Sequence, residues 1–421
     1  MCNNNGACRK LEGGVMCPSY RVTLNERDVT RGRANTLRLA ISGQLGPDAF
    51  TSDGMLETLQ LCVSCKGCRR ECPTGVDIAK MKIEVLAAKA ATRGLSLRDR
   101  LIGYLPRYAP YAARVPWLLN LRNRVPGLPQ LSEALTGFSA KRDLPRWRRD
   151  VFRDSEVDGA TGSSADGDVV LFADSFNRYF EPDNLRAALE VLAAGGYRVH
   201  AAGTDGARRL CCGRTFLSVG LVEEARKEAR RMLRALAPRI ARGVPVVGLE
   251  PSCLLTLRDE FLSMLPGDET RALAGRAFLF EEFLAWESEA GRLNLPLKPM
   301  SRKALLHGHC HQKSFAVMAS VERVLKLVPG LDVETVRSSC CGMAGAFGYQ
   351  ADTYDVSVAM GELSLLPAVR QADSSTLVVA DGTSCRHQIA DGTGREAMHV
   401  ARVLAMSLEA EQDVALRPGV H

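Results

Sequence analysis

Residues 62–73 read CVSCKGCRRECP, with the spacing Cys62-x2-Cys65-x2-Cys68-x3-Cys72-Pro73. Three thiolates this close wrap one 4Fe-4S cube, while the cysteine before proline turns away and ligates a second cluster. A zinc knuckle uses pairs separated by a longer loop, so the spacing argues against zinc here. The motif predicts an N-terminal, mainly α, ferredoxin-like unit. The segment that follows, DIAKMKIEVLAAKAATRG, has helical periodicity and ends in Gly94, as a helix does.

A second cluster needs a second motif, and the chain begins with a worn one: Cys2-x5-Cys8-x8-Cys17-Pro18. By the same exchange of ligands, Cys17 completes the cluster of Cys62, Cys65 and Cys68, and Cys72 completes that of Cys2 and Cys8. The middle cysteine of a full motif is replaced by Asn5. Three outcomes remain open for this centre: three thiolates only, a foreign ligand, or loss of the cluster.

The chain has 14 cysteines in 421 residues, and all of them fall in groups. Seven are those above. Cys211, Cys212 and Cys253 form a middle group, and Cys310, Cys340, Cys341 and Cys385 a last one. With no export signal in view, such grouping predicts metal or redox chemistry and not a disulfide framework. The middle and last groups are candidate ligands of a further cluster or a zinc ion, or else redox-active thiols.

Residues 167–405 read as an internal duplication. In the first copy DVVLFADS, RVHAA and VPVVGLE are strands alternating with helices NLRAALEVLAAGGY and LVEEARKEARRMLRALAPRIARG. The second copy repeats the order with KALLHGH, SVERVLKLVPG, DVETV, a helical region and STLVVADG. Such alternation predicts parallel sheets with right-handed crossovers and sites at the carboxyl ends of the strands. Each copy's cysteines then follow its strands directly and converge, with Ser175 standing where the second copy has Cys310. Glycines beside the two cysteine pairs, Gly213 and Gly342, are read as letting the backbone approach a cofactor. HGHCHQK adds His307, His309 and His311 beside Cys310, with ligation, proton transfer and anion binding as alternatives.

The expected architecture is therefore α/β: a ferredoxin-type domain over 1–100, a Pro/Arg-rich helical connector and linker over 101–166, and two cysteine-rich α/β domains over 167–290 and 300–405. The connector, LIGYLPRYAPYAARVPWLLNLRNRVPGLP, reads as short Pro-broken helices suited to a partner's surface. EVDGATGSSADGD reads as a flexible linker.

Residues 1–153 carry 26 Lys/Arg against 13 Asp/Glu, leaving about −6 for the rest of a chain of net charge +7. The basic residues are scattered and no nucleic-acid-binding pattern accompanies them, which excludes that class. The longest apolar runs fall far short of the roughly 20 residues of a membrane span. The expectation is a cytoplasmic protein, at most peripheral at the inner face of a membrane.

At ACRKLEGGVMCPSYRVTLNERDVTRGRANTLR together with CVSCKGCRRECPTGVDIAKMK, the chain resembles the iron-sulfur portion of FAD-linked D-2-hydroxy acid dehydrogenases, the D-lactate, D-2-hydroxyglutarate and glycolate class. Its paired Cys-Cys-Gly (CCG) motifs resemble the cysteine-rich module found in heterodisulfide reductase and in the succinate dehydrogenase of some archaea. The resemblance implies electron transfer from FAD on a partner domain or subunit, through 4Fe-4S clusters, to a quinone or cytochrome. It assigns this chain no catalytic residue toward the acid. In that family a flavin domain precedes these motifs, so a fragment or split gene is expected, the other reading being a separately encoded subunit. A disulfide-reducing enzyme with the Cys-Cys-Gly module as active site is the alternative function.

Overall fold

The computed structural model describes residues 2–158, 167–205 and 208–409. Most of the stretch expected to be a linker, 159–166, lies outside them. The N-terminal part is helical: Pro18–Thr23, Thr30–Ile41, Asp53–Gln60, Gly67–Glu71 and Ile78–Arg93. Local chemistry sets these ends. The Ser52 hydroxyl accepts the amide of Met55, the Asp77 carboxylate accepts that of Lys80, and Gly94 stops the last helix at φ +72°. Val29, Leu37, Met55, Leu59, Ile78 and Val85 form the core, and Cys8, Cys17 and Cys68 are buried with them.

The connector is broken by prolines as expected, into Leu97–Gly103, Leu105–Ala112, Pro116–Leu119 and Leu128–Thr136. Proline sits in the first turn of the last three, where its missing N–H costs no helical bond.

Ten strands follow. They are β1 (Asp168–Phe172), β2 (Arg198–Ala201), β3 (Thr204–Asp205), β4 (Arg208–Arg209), β5 (Val246–Gly248), β6 (Ala277–Leu279), β7 (Arg302–Leu306), β8 (Leu331–Thr335), β9 (Leu377–Val379) and β10 (Ala397–Met398). One sheet has the order β2-β1-β5-β6 and the other β8-β7-β9-β10, every pairing parallel. Read in chain order within each sheet, the two orders are the same. β3 and β4 make a separate antiparallel ribbon. The edge strands β6 and β10 were not expected from the sequence, since runs of three and two residues show no usable periodicity.

The two sheets share one hydrophobic core. Helix Pro182–Ala194 packs on helix Val400–Ser407, and helix Phe280–Glu289 on Met318–Leu325, so Leu185, Leu192, Leu306, Val324 and Leu404 lie in one buried cluster. Each such leucine is worth roughly 1.5–3 kcal/mol of burial. Polar groups cross the same seam: buried Arg386 forks onto Glu181 at 2.8 and 2.5 Å, and the Thr383 amide donates to Glu250 at 2.9 Å.

Candidate metal centres

The CVSCKGC loop carries left-handed backbone at Ser64 (φ +50°) and Lys66 (φ +60°), which turns successive thiols toward one point. Cys17 ends the preceding loop just before helix Pro18–Thr23, and its Sγ lies 3.1 Å from the Thr30 amide, which donates to it. Burial pushes the Cys17 thiol up to about 11 and that of Cys68 up to about 12. Neighbouring sulfurs add to this: Cys62 on Cys17, Cys62 and Cys17 on Cys68, Cys68 and Cys17 on Cys65. Burial and mutual repulsion disfavour ionisation of Cys17, Cys65 and Cys68 without a cation among them, yet amides of Thr30, Gly67 and Ile78 are aimed at their sulfurs. A donor set that is stable as thiolates only around metal suits a 4Fe-4S cluster.

The loop is plugged into the α/β part. Lys66, 1% exposed, pairs with Asp259 at 2.7 Å and Glu260 at 2.6 Å. Arg69 and Lys80 also reach Asp259, and Arg214 reaches Glu260. His311 Nε2 lies 3.1 Å from the Ser64 carbonyl, and the Ser314 hydroxyl donates to the Cys65 carbonyl at 2.8 Å. Cys65 is thereby buried in one cluster with Cys310, Cys340, Cys341 and Cys385, and Cys310 is the neighbouring charge it feels most.

Those four cysteines come together as the topology requires. Cys310 opens helix Cys310–Ser314 after β7, Cys340 and Cys341 lie in the loop after β8, and Cys385 is in the first turn of Thr383–Thr393 after β9. Ligand atoms of His307, Cys341 and Cys385 lie within 4.8 Å of one another. Burial holds His307 near 4, hence neutral. Its Nδ1 is 2.9 Å from the Ser338 hydroxyl, while its buried Nε2 has no hydrogen-bond partner. An imidazole fixed at one nitrogen and free at the other, beside two thiols, could hold a metal ion. The other two histidines do different work: His309 Nδ1 accepts the His311 amide as a helix cap, and His311 docks on Ser64. Lys313 donates to the carbonyls of Ser338 and Ser339, its ammonium facing all four sulfurs.

The middle group is arranged in parallel but is one thiol short. Cys211, Cys212 and Cys253 are all buried, and they line a narrow cavity with Ser175, at the start of helix Ser175–Tyr179. Two expectations need correction. Cys211 and Cys212 follow the β3–β4 ribbon, not β2 directly. Gly342 (φ +89°) does not open space for a cofactor: a Cβ there would sit 2.1 Å from the Ser357 carbonyl oxygen, so the glycine serves close backbone packing. Gly213 likewise abuts Ala225. None of the 14 cysteines is paired in a disulfide.

Fold and cysteine placement give an N-terminal helical unit with the ligand spacing of a ferredoxin-type domain, joined to a cysteine-rich α/β unit. Residues 1–76 match the family model of the 4Fe-4S dicluster domain. The chain is 29% identical over 374 residues to one subunit of the anaerobic glycerol-3-phosphate dehydrogenase of Escherichia coli, covering 87% of this chain and 92% of that one. It is 27% identical over 447 residues to the D-2-hydroxyglutarate dehydrogenase of Pseudomonas putida, covering 96% of this chain but 42% of that one. Lactate utilization protein A 2 of Bacillus cereus is 23% identical over 253 residues, 57% of this chain and 98% of its own. The similarity is to the iron-sulfur portion of such dehydrogenases. Among the described residues no helix is long and apolar enough to cross a membrane.

Proposed function

We propose that the chain is the iron-sulfur electron-transfer component of an FAD-dependent dehydrogenase oxidising a D-2-hydroxy acid or glycerol 3-phosphate, and that a quinone or cytochrome accepts the electrons. Cys17, Cys62, Cys65 and Cys68 hold one 4Fe-4S cluster, and Cys2, Cys8 and Cys72 hold another. The two sheets are duplicated Cys-Cys-Gly modules, of which the second, with Cys310, Cys340, Cys341 and Cys385, is the complete metal site. FAD lies on a partner domain or subunit. The protein works in the cytoplasm, at most peripheral to a membrane.

One observation carries this reading: Cys65 of the first cluster lies in the same buried group as Cys310 of the next site. Adjacent redox centres wrapped in protein make a wire. A disulfide reductase would instead need an open thiol, and Cys340, Cys341 and Cys385 are only 1–3% exposed.

The test is anaerobic reconstitution followed by stopped-flow reoxidation of the dithionite-reduced chain by a quinone analogue. Cys65→Ser should lose at least one of the about four irons of that cluster and pass electrons at least tenfold more slowly, with the fold retained by circular dichroism. A wild-type chain that binds no iron, or a Cys65→Ser variant that transfers as fast as wild type, overturns the reading.

A further inference from the structure

The N-terminal segment repeats the backbone of the CVSCKGC loop, although it lacks the middle thiol. In Cys62–Cys68 the third and fifth residues, Ser64 and Lys66, have φ of +50° and +60°. In Cys2–Cys8 the third and fifth, Asn4 and Gly6, have φ of +61° and +76°. The residue preceding the following helical turn has the same conformation in both, ψ being 5° at Lys66 and 5° at Gly6. Asn and Gly adopt left-handed backbone readily, and they stand at the two positions where the segment needs it to follow the same path.

The side chains match as well. Cys65 accepts the amide of Gly67, two residues on. Asn5, at the position of Cys65, accepts the amide of Ala7 on its Oδ1 at 2.9 Å, also two residues on. The carboxamide oxygen thus occupies the place of the sulfur, with the opposite end, Nδ2, tied to Asn3 Oδ1 at 2.7 Å. Cys2 and Cys72 pack against the buried cluster that contains Cys8. Cys8 is buried, feels Cys2, and receives the Arg31 amide. Cys72 is cradled by the Thr74 hydroxyl, 3.3 Å from its sulfur, and by the amides of Val76, Thr74 and Gly75. Asn3, Asn4 and Asn5 are exposed.

We propose that the Cys2–Cys8–Cys72 centre keeps its fourth iron on the Asn5 carboxamide oxygen, a solvent-facing corner that releases and rebinds Fe2+. The proposal rests on the electron-transfer reading above. A neutral oxygen is a far weaker donor to cluster iron than a thiolate, so three irons are held firmly and one weakly. Oxidation empties the corner: a [4Fe-4S]2+ core gives [3Fe-4S]+ and one Fe2+, and the single electron released goes to an external oxidant, ferricyanide in the test. Re-entry of Fe2+ with one electron reverses it. This centre, with Asn3, Asn4 and Asn5 exposed, then reports ferrous iron and oxidant.

The test uses the anaerobically reconstituted chain. Stoichiometric ferricyanide should remove about one of the cluster irons and produce the S = 1/2 electron paramagnetic resonance signal of an oxidised three-iron cluster, with ferrous iron and dithionite restoring the starting spectrum. Asn5→Cys supplies the missing thiolate in a loop already shaped for it. It should keep all its iron and show at least tenfold less of that signal. As a check independent of that variant's folding, 2-mercaptoethanol added to wild type before the oxidant should suppress the signal. Full iron retention by wild type without the signal overturns the proposal, as does a signal undiminished by both Asn5→Cys and the added thiol. Cys2→Ser and Cys8→Ser variants with unchanged iron content would likewise overturn it, while leaving the electron-transfer reading standing. Absence of iron from the whole chain would overturn both.

Discussion

Replacing Lys66 by methionine is expected to destabilise the fold by about 3–5 kcal/mol, because removing one partner of a buried ion pair leaves the other charge uncompensated. Here two charges are left: Asp259 and Glu260 are 1% and 4% exposed at their side chains, and Lys66 reaches both. Arg69 and Lys80 remain on Asp259 and Arg214 on Glu260, which places the effect toward the lower end of that range. Denaturant unfolding of the reconstituted protein reads it, and a loss under about 1 kcal/mol would refute the argument. The same network sets an acid limit. Burial would raise the Asp259 carboxyl, but Lys66 and Lys80 more than offset it and hold it well below its ordinary value. A carboxylate depressed in the folded state contributes stability that is fully present above its unfolded value, roughly pH 4, and lost as pH falls toward its folded one. Docking of the cluster loop should therefore be unaffected near neutrality and weaken only in strong acid.

The second large effect is expected from Gly342→Ala. The new Cβ would meet the Ser357 carbonyl oxygen at 2.1 Å and the Met360 Cβ at 2.9 Å, in a residue whose φ is +89°. A backbone oxygen inside helix Tyr354–Glu362 cannot step aside as a flexible side-chain tip can. The strand-to-helix loop must move, and Cys340 and Cys341 move with it. We expect more than about 4 kcal/mol of destabilisation, the range of overpacking combined with strained backbone, and loss of metal from the last cysteine group. Gly345→Ala is the control: φ is +64° but nothing lies within 4 Å of the added carbon. It should cost only about 1–2 kcal/mol of left-handed strain. Equal losses in the two variants would show that crowding at Gly342 is not the cause.

Much of this architecture was legible from local signals. The helix ending at Gly94 and the Pro-broken connector follow from capping and proline chemistry acting within a few residues, and both stand as read. The central strands of both sheets were visible because each is a short apolar run bounded by turns. β6 and β10 were not, since two or three residues become strands only by pairing with β5 and β9. At the site, fourteen grouped cysteines announced metal chemistry, but the three histidines looked equivalent. Only packing separates His307, whose free Nε2 faces the thiols, from His309 and His311, whose nitrogens serve a cap and a docking contact.

By itself the sequence determined the iron-sulfur motif, its defect at Asn5 and the β-α alternation, because ligand spacing and periodicity are properties of neighbouring residues. Tertiary structure alone decided where the cysteine groups sit relative to one another. Lys66 lies 193 positions from Asp259, and the Cys65 carbonyl 249 from the Ser314 hydroxyl, yet these contacts seat the cluster loop against Cys310. No pattern along the chain encodes such a contact; it exists because burying one charged loop demands charges of opposite sign from another part of the fold.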